Sequence, residues 1–214
     1  MFVWTTKVRP SGWKPWANTI AYYKFEWNLN DSSWNGYNWS MRYGSFTYST
    51  LSSWEQYLYS NWANYSNNIT IPYNPQSYTI NVWCKYWSSK VFVDFQPYKS
   101  ASSWPRFQRL ANNSLYLGKT PYISWNFTQW TNVVLVLTSS SSKFYINWQY
   151  VNSWGAMQTW YSTTNLSINT AWIADNPTAQ SWTNYMDELI IENKERTAQE
   201  ISDYYNLTKS NYWL

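Results

Sequence analysis

From Thr19 onward the chain alternates short apolar runs with Asn- and Ser-rich turns. The runs IAYYKF (20–25), SFTYS (45–49), QYLYS (56–60), NITI (68–71), SYTINVWCKY (77–86), KVFVDFQ (90–96) and RFQRLA (106–111) predict β-strands. So do SLYLG (114–118), WTNVVLVLT (130–138), KFYIN (143–147), QYVN (149–152), NLSI (165–168) and NYMDELIIE (184–192). Many short strands joined by such turns indicate a β-sandwich or barrel. Val133 to Leu137 is apolar at every position, which predicts a central strand covered on both faces. Tyr78, Ile80, Val82 and Cys84 alternate with Thr79, Asn81, Trp83 and Lys85, giving one apolar and one mixed face. On the apolar face Cys84 reads as a small core residue. One helix closes the chain. Thr197 with Glu200 forms a capping box, and Ile201, Tyr204 and Tyr205 follow at helical spacing, predicting a helix over about 198–205.

Composition changes this picture at the turns. The 214 residues hold nineteen tryptophans but five glycines, where ordinary usage near 7% predicts about fifteen. Charged residues make up 12%, about half the usual share, and the net charge of +4 gathers in no Lys/Arg cluster, so no nucleic-acid partner is expected. Aromatic content of 22% argues against disorder, and no apolar window is long enough for a membrane span. One cysteine and no histidine exclude a disulfide framework, a cysteine-rich metal cage, a histidine triad and a zincin site.

The tryptophans stand where glycines belong. Asn28 to Gly36 is a turn-rich stretch interrupted by Trp34 and flanked by Trp27 and Trp39. Such loops normally place glycine at positions of positive φ. Asn147-Trp148 separates two β-prone runs as Asn-Gly does in a type I′ hairpin. Trp54, Trp62, Trp87, Trp104, Trp154, Trp172 and Trp182 lie in similar turn-like settings. A side chain forced into the left-handed region costs on the order of 1–3 kcal/mol, so many such sites would consume a domain's stability of roughly 5–15 kcal/mol. Most of these positions therefore read as native glycine, as when a UGA codon is glycine in the source. Trp83, mid-strand, and Trp130, at a strand start, read as genuine. The alternative is a Trp-rich protein whose exposed indoles are sugar platforms.

IAYYKFEWNLNDSSWNGYNWS, SYTINVWCKY, WTNVVLVLT, KFYINWQYV and MDELIIENKERTAQEISDYYN resemble, in order, landmarks of the laminin-G-like (concanavalin A-like lectin/glucanase) jelly-roll domains. Reading Trp27, Trp34 and Trp39 as glycine restores the early loop of that family. Asn132 departs from it, since many relatives have histidine there. The resemblance spans about residues 19–207, leaving 1–18 as a tail or linker, without the layout of a secretory signal, and 208–214 as a C-terminal tail. It implies an all-β, concanavalin A-like jelly-roll sandwich of two antiparallel sheets with one short C-terminal helix.

The resemblance implies a non-catalytic binding or adhesion module of a surface or secreted protein, recognising carbohydrate or a protein partner. The alternatives are a glycan-specific lectin and a degenerate glycoside hydrolase. Hydrolases of this fold carry Glu-x-Asp-x-x-Glu or a close variant on one strand, and none occurs here. Asp187 and Glu188 are expected on opposite faces of their strand, and Glu188 and Glu192 too far apart for paired-carboxylate catalysis. For a sugar, the candidates are Trp83, Asn81, Tyr98 and Tyr122, offering aromatic stacking and polar groups; Trp83 also reads as an indole packed beneath a loop or sheet. In relatives a structural calcium can join the early loop to the late acidic strand, which would use Glu26 or Asp31 with Asp187. Few charges and many Asn, Ser and Thr residues suit an extracellular surface.

Overall fold

A computed structural model describes residues 17–38, 47–52, 55–60, 67–72, 77–86, 91–96, 106–109, 114–116, 122–124, 128–155, 163–168 and 184–212. Fourteen strands appear among them: β1 (Thr19–Tyr23), β2 (Thr47–Ser52), β3 (Glu55–Ser60), β4 (Asn67–Pro72), β5 (Ser77–Tyr86), β6 (Val91–Gln96) and β7 (Arg106–Arg109). Then come β8 (Ser114–Tyr116), β9 (Tyr122–Ser124), β10 (Thr131–Thr138), β11 (Ser141–Ile146), β12 (Gln149–Gly155), β13 (Thr163–Ile168) and β14 (Asn184–Glu192). Helix α1 (Ala198–Thr208) continues into a 3₁₀ turn, Lys209–Tyr212. The helix therefore runs past the expected limit, and the segment expected as a tail from 208 carries Tyr212 into the core. Strand β9 was not expected, and Trp154 lies inside β12 opposite Ser142 rather than in a turn.

The strands form two antiparallel sheets. The larger runs β12-β11-β10-β5-β14-β3-β2, with β1 also pairing β14; the smaller runs β4-β13-β6-β7-β8-β9. All eight residues of β10 are buried, as the unbroken apolar run demands of a strand with covered faces. Cross-strand register sorts the rest. Asn132, Val134 and Val136 of β10 stand opposite Trp83, Asn81 and Thr79 of β5, on one face. Val133, Leu135 and Leu137 stand opposite Val82, Ile80 and Tyr78 on the other, where Cys84 is also buried.

Helix α1 covers the first of these faces. Its Ile201 is buried with Val134, Val136 and Tyr145. Tyr204 joins Tyr22, Trp83, Trp130, Ile190 and Tyr212 in a second cluster. The capping box holds the helix start: Glu200 N donates to Thr197 Oγ1 at 3.2 Å and Thr197 N to Glu200 Oε2 at 2.9 Å. Just before it, Thr79 pins the incoming turn to β5, donating to the Lys194 carbonyl at 2.6 Å and accepting from Arg196 N at 3.0 Å.

Strand β14 carries the main irregularity. Asp187 lies opposite Trp83 and Ile190 opposite Asn81, so three steps along β14 match two along β5. This bulge falls where the other neighbour of β14 changes from β3 to β1. Glu188 absorbs the extra residue with φ 51.

Candidate functional site

The early loop is built around Asp31. Its Oδ1 accepts from Tyr22 N (2.9 Å) and Ser33 N (2.8 Å), and its Oδ2 from Ser33 Oγ (2.7 Å) and Tyr37 N (3.1 Å). Asn35 Nδ2 donates to the Thr19 and Ile20 carbonyls, both at 2.9 Å, and Ser33 Oγ to the Ile20 carbonyl at 3.0 Å. These side chains satisfy the outer edge of β1, which would otherwise present unpaired backbone groups. Beneath the loop, burial and then the Asp31 charge push the Tyr23 phenol far above its ordinary range.

The turns of this loop need left-handed backbone. Trp27 and Trp34 take φ 67 and 76, and Gly36 takes φ 77. Both indoles point into solvent, 73% and 92% exposed. At the β11–β12 hairpin Asn147 and Trp148 take φ 47 and 66, the signature of a type I′ turn. Asn147 locks the hairpin by donating N–H to the Asn132 carbonyl at 2.8 Å while its Oδ1 accepts from Asn132 N at 2.9 Å. Trp148 too is exposed, whereas Trp83 and Trp130 are buried. Trp39, Trp54, Trp62, Trp87, Trp104, Trp172 and Trp182 lie outside the described residues.

Of the nominated sugar-binding residues, Trp83 and Asn81 are buried and form no open platform. Trp83 is 0% exposed: it stacks on Tyr212 at 4.0 Å and Tyr205 at 5.6 Å between ring centroids. Its Nε1 donates to Thr208 Oγ1 at 3.2 Å. It is the seat of the C-terminal segment, because a sheet-face indole opposite a helix gains more from burial than from solvent. Asn81 is buried beside it, accepting from Asn132 Nδ2 at 2.7 Å. Tyr122 opens β9, distant in strand order from β5 and in the other sheet; Tyr98 lies outside the described residues.

The metal candidates do not assemble either. Three backbone N–H groups donate to the Asp31 carboxylate, and the Ser33 hydroxyl shares its proton between Asp31 Oδ2 and the Ile20 carbonyl, so this side chain is spent on its own loop. Asp187, 0% exposed, accepts from Tyr212 OH at 2.9 Å and from Glu188 N at 3.0 Å. Glu26 is half-buried in the loop, its carbonyl accepting from Asn28 Nδ2 at 3.3 Å. Among the described residues no group of three or more His, Cys, Asp or Glu could hold an ion. Glu26, Asp31 and Asp187 are thus not gathered into one carboxylate cluster.

The bulge corrects one expectation. Asp187 and Glu188 do not diverge: Tyr212 binds the first, Tyr22 OH donates to the second, and both phenols belong to one aromatic cluster. Left-handed backbone at Glu188 breaks the alternation that sends successive side chains to opposite faces. The two carboxylates lie sealed under α1, and, after burial itself, their charges hold the Tyr204 and Tyr212 phenols well above 10.0. Both being buried, they offer a substrate no catalytic pair.

What the fold leaves open beside this cluster is a cleft of about 530 Å³. It lies between the start of β1, the end of β14 and one face of α1. Its floor is the Glu192–Arg196 ion pair, two-pronged and almost wholly buried, with Arg196 Nη2 donating to Glu192 Oε1 at 3.0 Å. The guanidinium sits 5.9 Å from the Tyr204 ring centre. Burial pushes the Glu192 carboxyl up, against the opposing pull of Arg196. Sequence reasoning missed this place because its residues come from three separated segments and carry no motif.

The sequence matches no family model and no curated protein. Solved structures match the fold. Domain 4 of AbnA, a GH43 extracellular arabinanase from Geobacillus stearothermophilus in complex with arabinotriose, aligns with TM-score 0.65 and 19% identity, over 89% of this chain and 98% of that one. The binding domain of botulinum neurotoxin DC in complex with rat synaptotagmin II aligns with TM-score 0.63 and 15% identity, over 88% and 51%. A structure of botulinum neurotoxin type C, whose cell entry depends on interaction with two ganglioside molecules, aligns with TM-score 0.60 and 18% identity, over 88% and 51%. The chain spans about half the length of these neurotoxin chains.

Proposed function

We propose that the chain is a non-catalytic, extracellular binding module of the laminin-G-like jelly-roll type, and that carbohydrate is its ligand. The observation that carries the reading is the fold match to an arabinanase domain bound to arabinotriose, which covers nearly the whole of both chains. The burial of Asp187 and Glu188 supports the non-catalytic part, since paired-carboxylate hydrolysis needs both groups at the substrate. A glycan array probed with the chain is expected to retain one class of glycan, with no reducing sugar released on incubation. Sugar release would overturn the non-catalytic part. A blank array would favour a protein partner instead, the reading supported by the likeness to the domain bound to synaptotagmin II.

The same reading holds that the turn tryptophans are native glycines. Support comes from Trp27, Trp34 and Trp148, all left-handed and exposed, against Trp83 and Trp130, buried in the core. On this reading the exposed indoles at these turns are not the sugar platform. The gene is expected to carry UGG at positions 83 and 130 and UGA at most of the others; UGG throughout would overturn the assignment.

A further inference from the structure

We infer that the cleft between α1 and the end of β14 is the binding site of a neutral saccharide, an inference that rests on the binding-module reading above. Three properties of the cleft lead to it.

The first is size and shape. A volume of about 530 Å³ falls in the range of small-ligand sites, and the cleft is framed by regular elements rather than by loops alone. The α1 face that lines it presents Glu200, Asp203, Tyr204 and Leu207, spaced as one helical stripe.

The second is a preorganised polar floor. The Glu192 carboxylate and Arg196 guanidinium are joined by two hydrogen bonds, with side chains 1% and 4% exposed. Burying an ion pair is seldom a gain in stability over an apolar pair of similar volume. Here the pair borders a cleft, and because each group spends its hydrogen bonds on the other, it gives the floor no net charge while ligand contacts fall to the accessible groups at the rim. The exposed Asn18 and Asp203 offer an amide and a carboxylate to sugar hydroxyls at the rim, above the buried Tyr204.

The third is charge balance. Three carboxylates (Glu192, Glu200, Asp203) face two cations (Lys194, Arg196), and Lys194 is itself paired with Glu200. A phosphate or an acidic sugar meets net repulsion there, while a neutral polyol meets donors and acceptors of both kinds. The net charge of the lining sets the ligand class.

Titration calorimetry with arabinotriose, cellotriose, maltotriose and the acidic sialyllactose tests this on the 214-residue chain. It is run both with the tryptophans and with glycine at 27, 34 and 148, changes that leave the cleft lining intact because none of its residues is a tryptophan. At least one neutral trisaccharide is expected to bind, with sialyllactose weaker. Leu207→Trp, at a 38% exposed position, is expected to fill the cleft and weaken binding at least about tenfold with an unchanged melting temperature. Asp203→Ala, also at an exposed position, is a second variant expected to weaken it several-fold. Side-chain NMR shifts on saturation are expected at Arg196 and Tyr204. Binding that survives both substitutions without shifts at Arg196 or Tyr204 overturns the cleft assignment and leaves the carbohydrate reading standing. Preference for sialyllactose overturns the ligand class. No binding by any of the four sugars overturns the inference, and the glycan array then separates a different glycan from a protein partner.

Discussion

Left-handed backbone is costly for any residue with a Cβ, and an exposed indole gains little burial to offset that cost. Trp27, Trp34 and Trp148 combine both conditions. Each Trp→Gly substitution is expected to stabilise by about 1 kcal/mol. The triple variant should then melt roughly 6–12 °C higher, read by calorimetry. Trp83→Ala is expected to act in the opposite sense, losing about 3–5 kcal/mol in a urea titration, because Tyr205, Tyr212 and Thr208 all rest on the indole. These turns were legible from Asn-rich neighbours and a hairpin spacing. Glu188 was not, nor was Phe25, which takes φ 54 while buried. Neither sits among turn residues, and tertiary burial holds each in a conformation its own chemistry disfavours.

At the scale of elements, α1 couples the C-terminus to the large sheet. Its start was readable because Thr197 and Glu200 announce a capping box; Thr197→Ala is expected to cost about 1 kcal/mol. Its end was not, because the stripe Tyr204, Thr208, Tyr212 continues through a polar residue whose hydroxyl accepts from Trp83. The bulge in β14 escaped for a related reason: strand alternation predicts faces only while the register is unbroken. Alkali tests the helix seat. Tyr204 and Tyr212 are held protonated in the folded state above 10.0, the ordinary value expected in the unfolded chain. Their contribution to stability is complete below that pH and is lost as pH rises toward the folded values. A melt series is expected to show destabilisation setting in near pH 10, alongside loss of near-UV aromatic dichroism. Tyr212→Phe should make that loss less steep, with Tyr204 keeping its onset, while costing about 1–3 kcal/mol at neutral pH, since Asp187 loses a donor inside the protein.

For the whole molecule, two antiparallel sheets and a helix-sealed face bury Asp187, Glu188, Glu192 and Arg196, and a cleft opens beside α1. Calcium is expected to leave the melting temperature unchanged, and a rise of more than about 2 °C at millimolar calcium would contradict the geometry at Asp31 and Asp187. The strand pattern disclosed the all-β class and most strands. The cleft stayed hidden because it exists only once β1, β14 and α1 are brought together. What occupies the turns is decided directly by peptide masses of the protein isolated from its source. Glycine at 27, 34 and 148 with tryptophan at 83 and 130 is the predicted result; tryptophan at all five would contradict it.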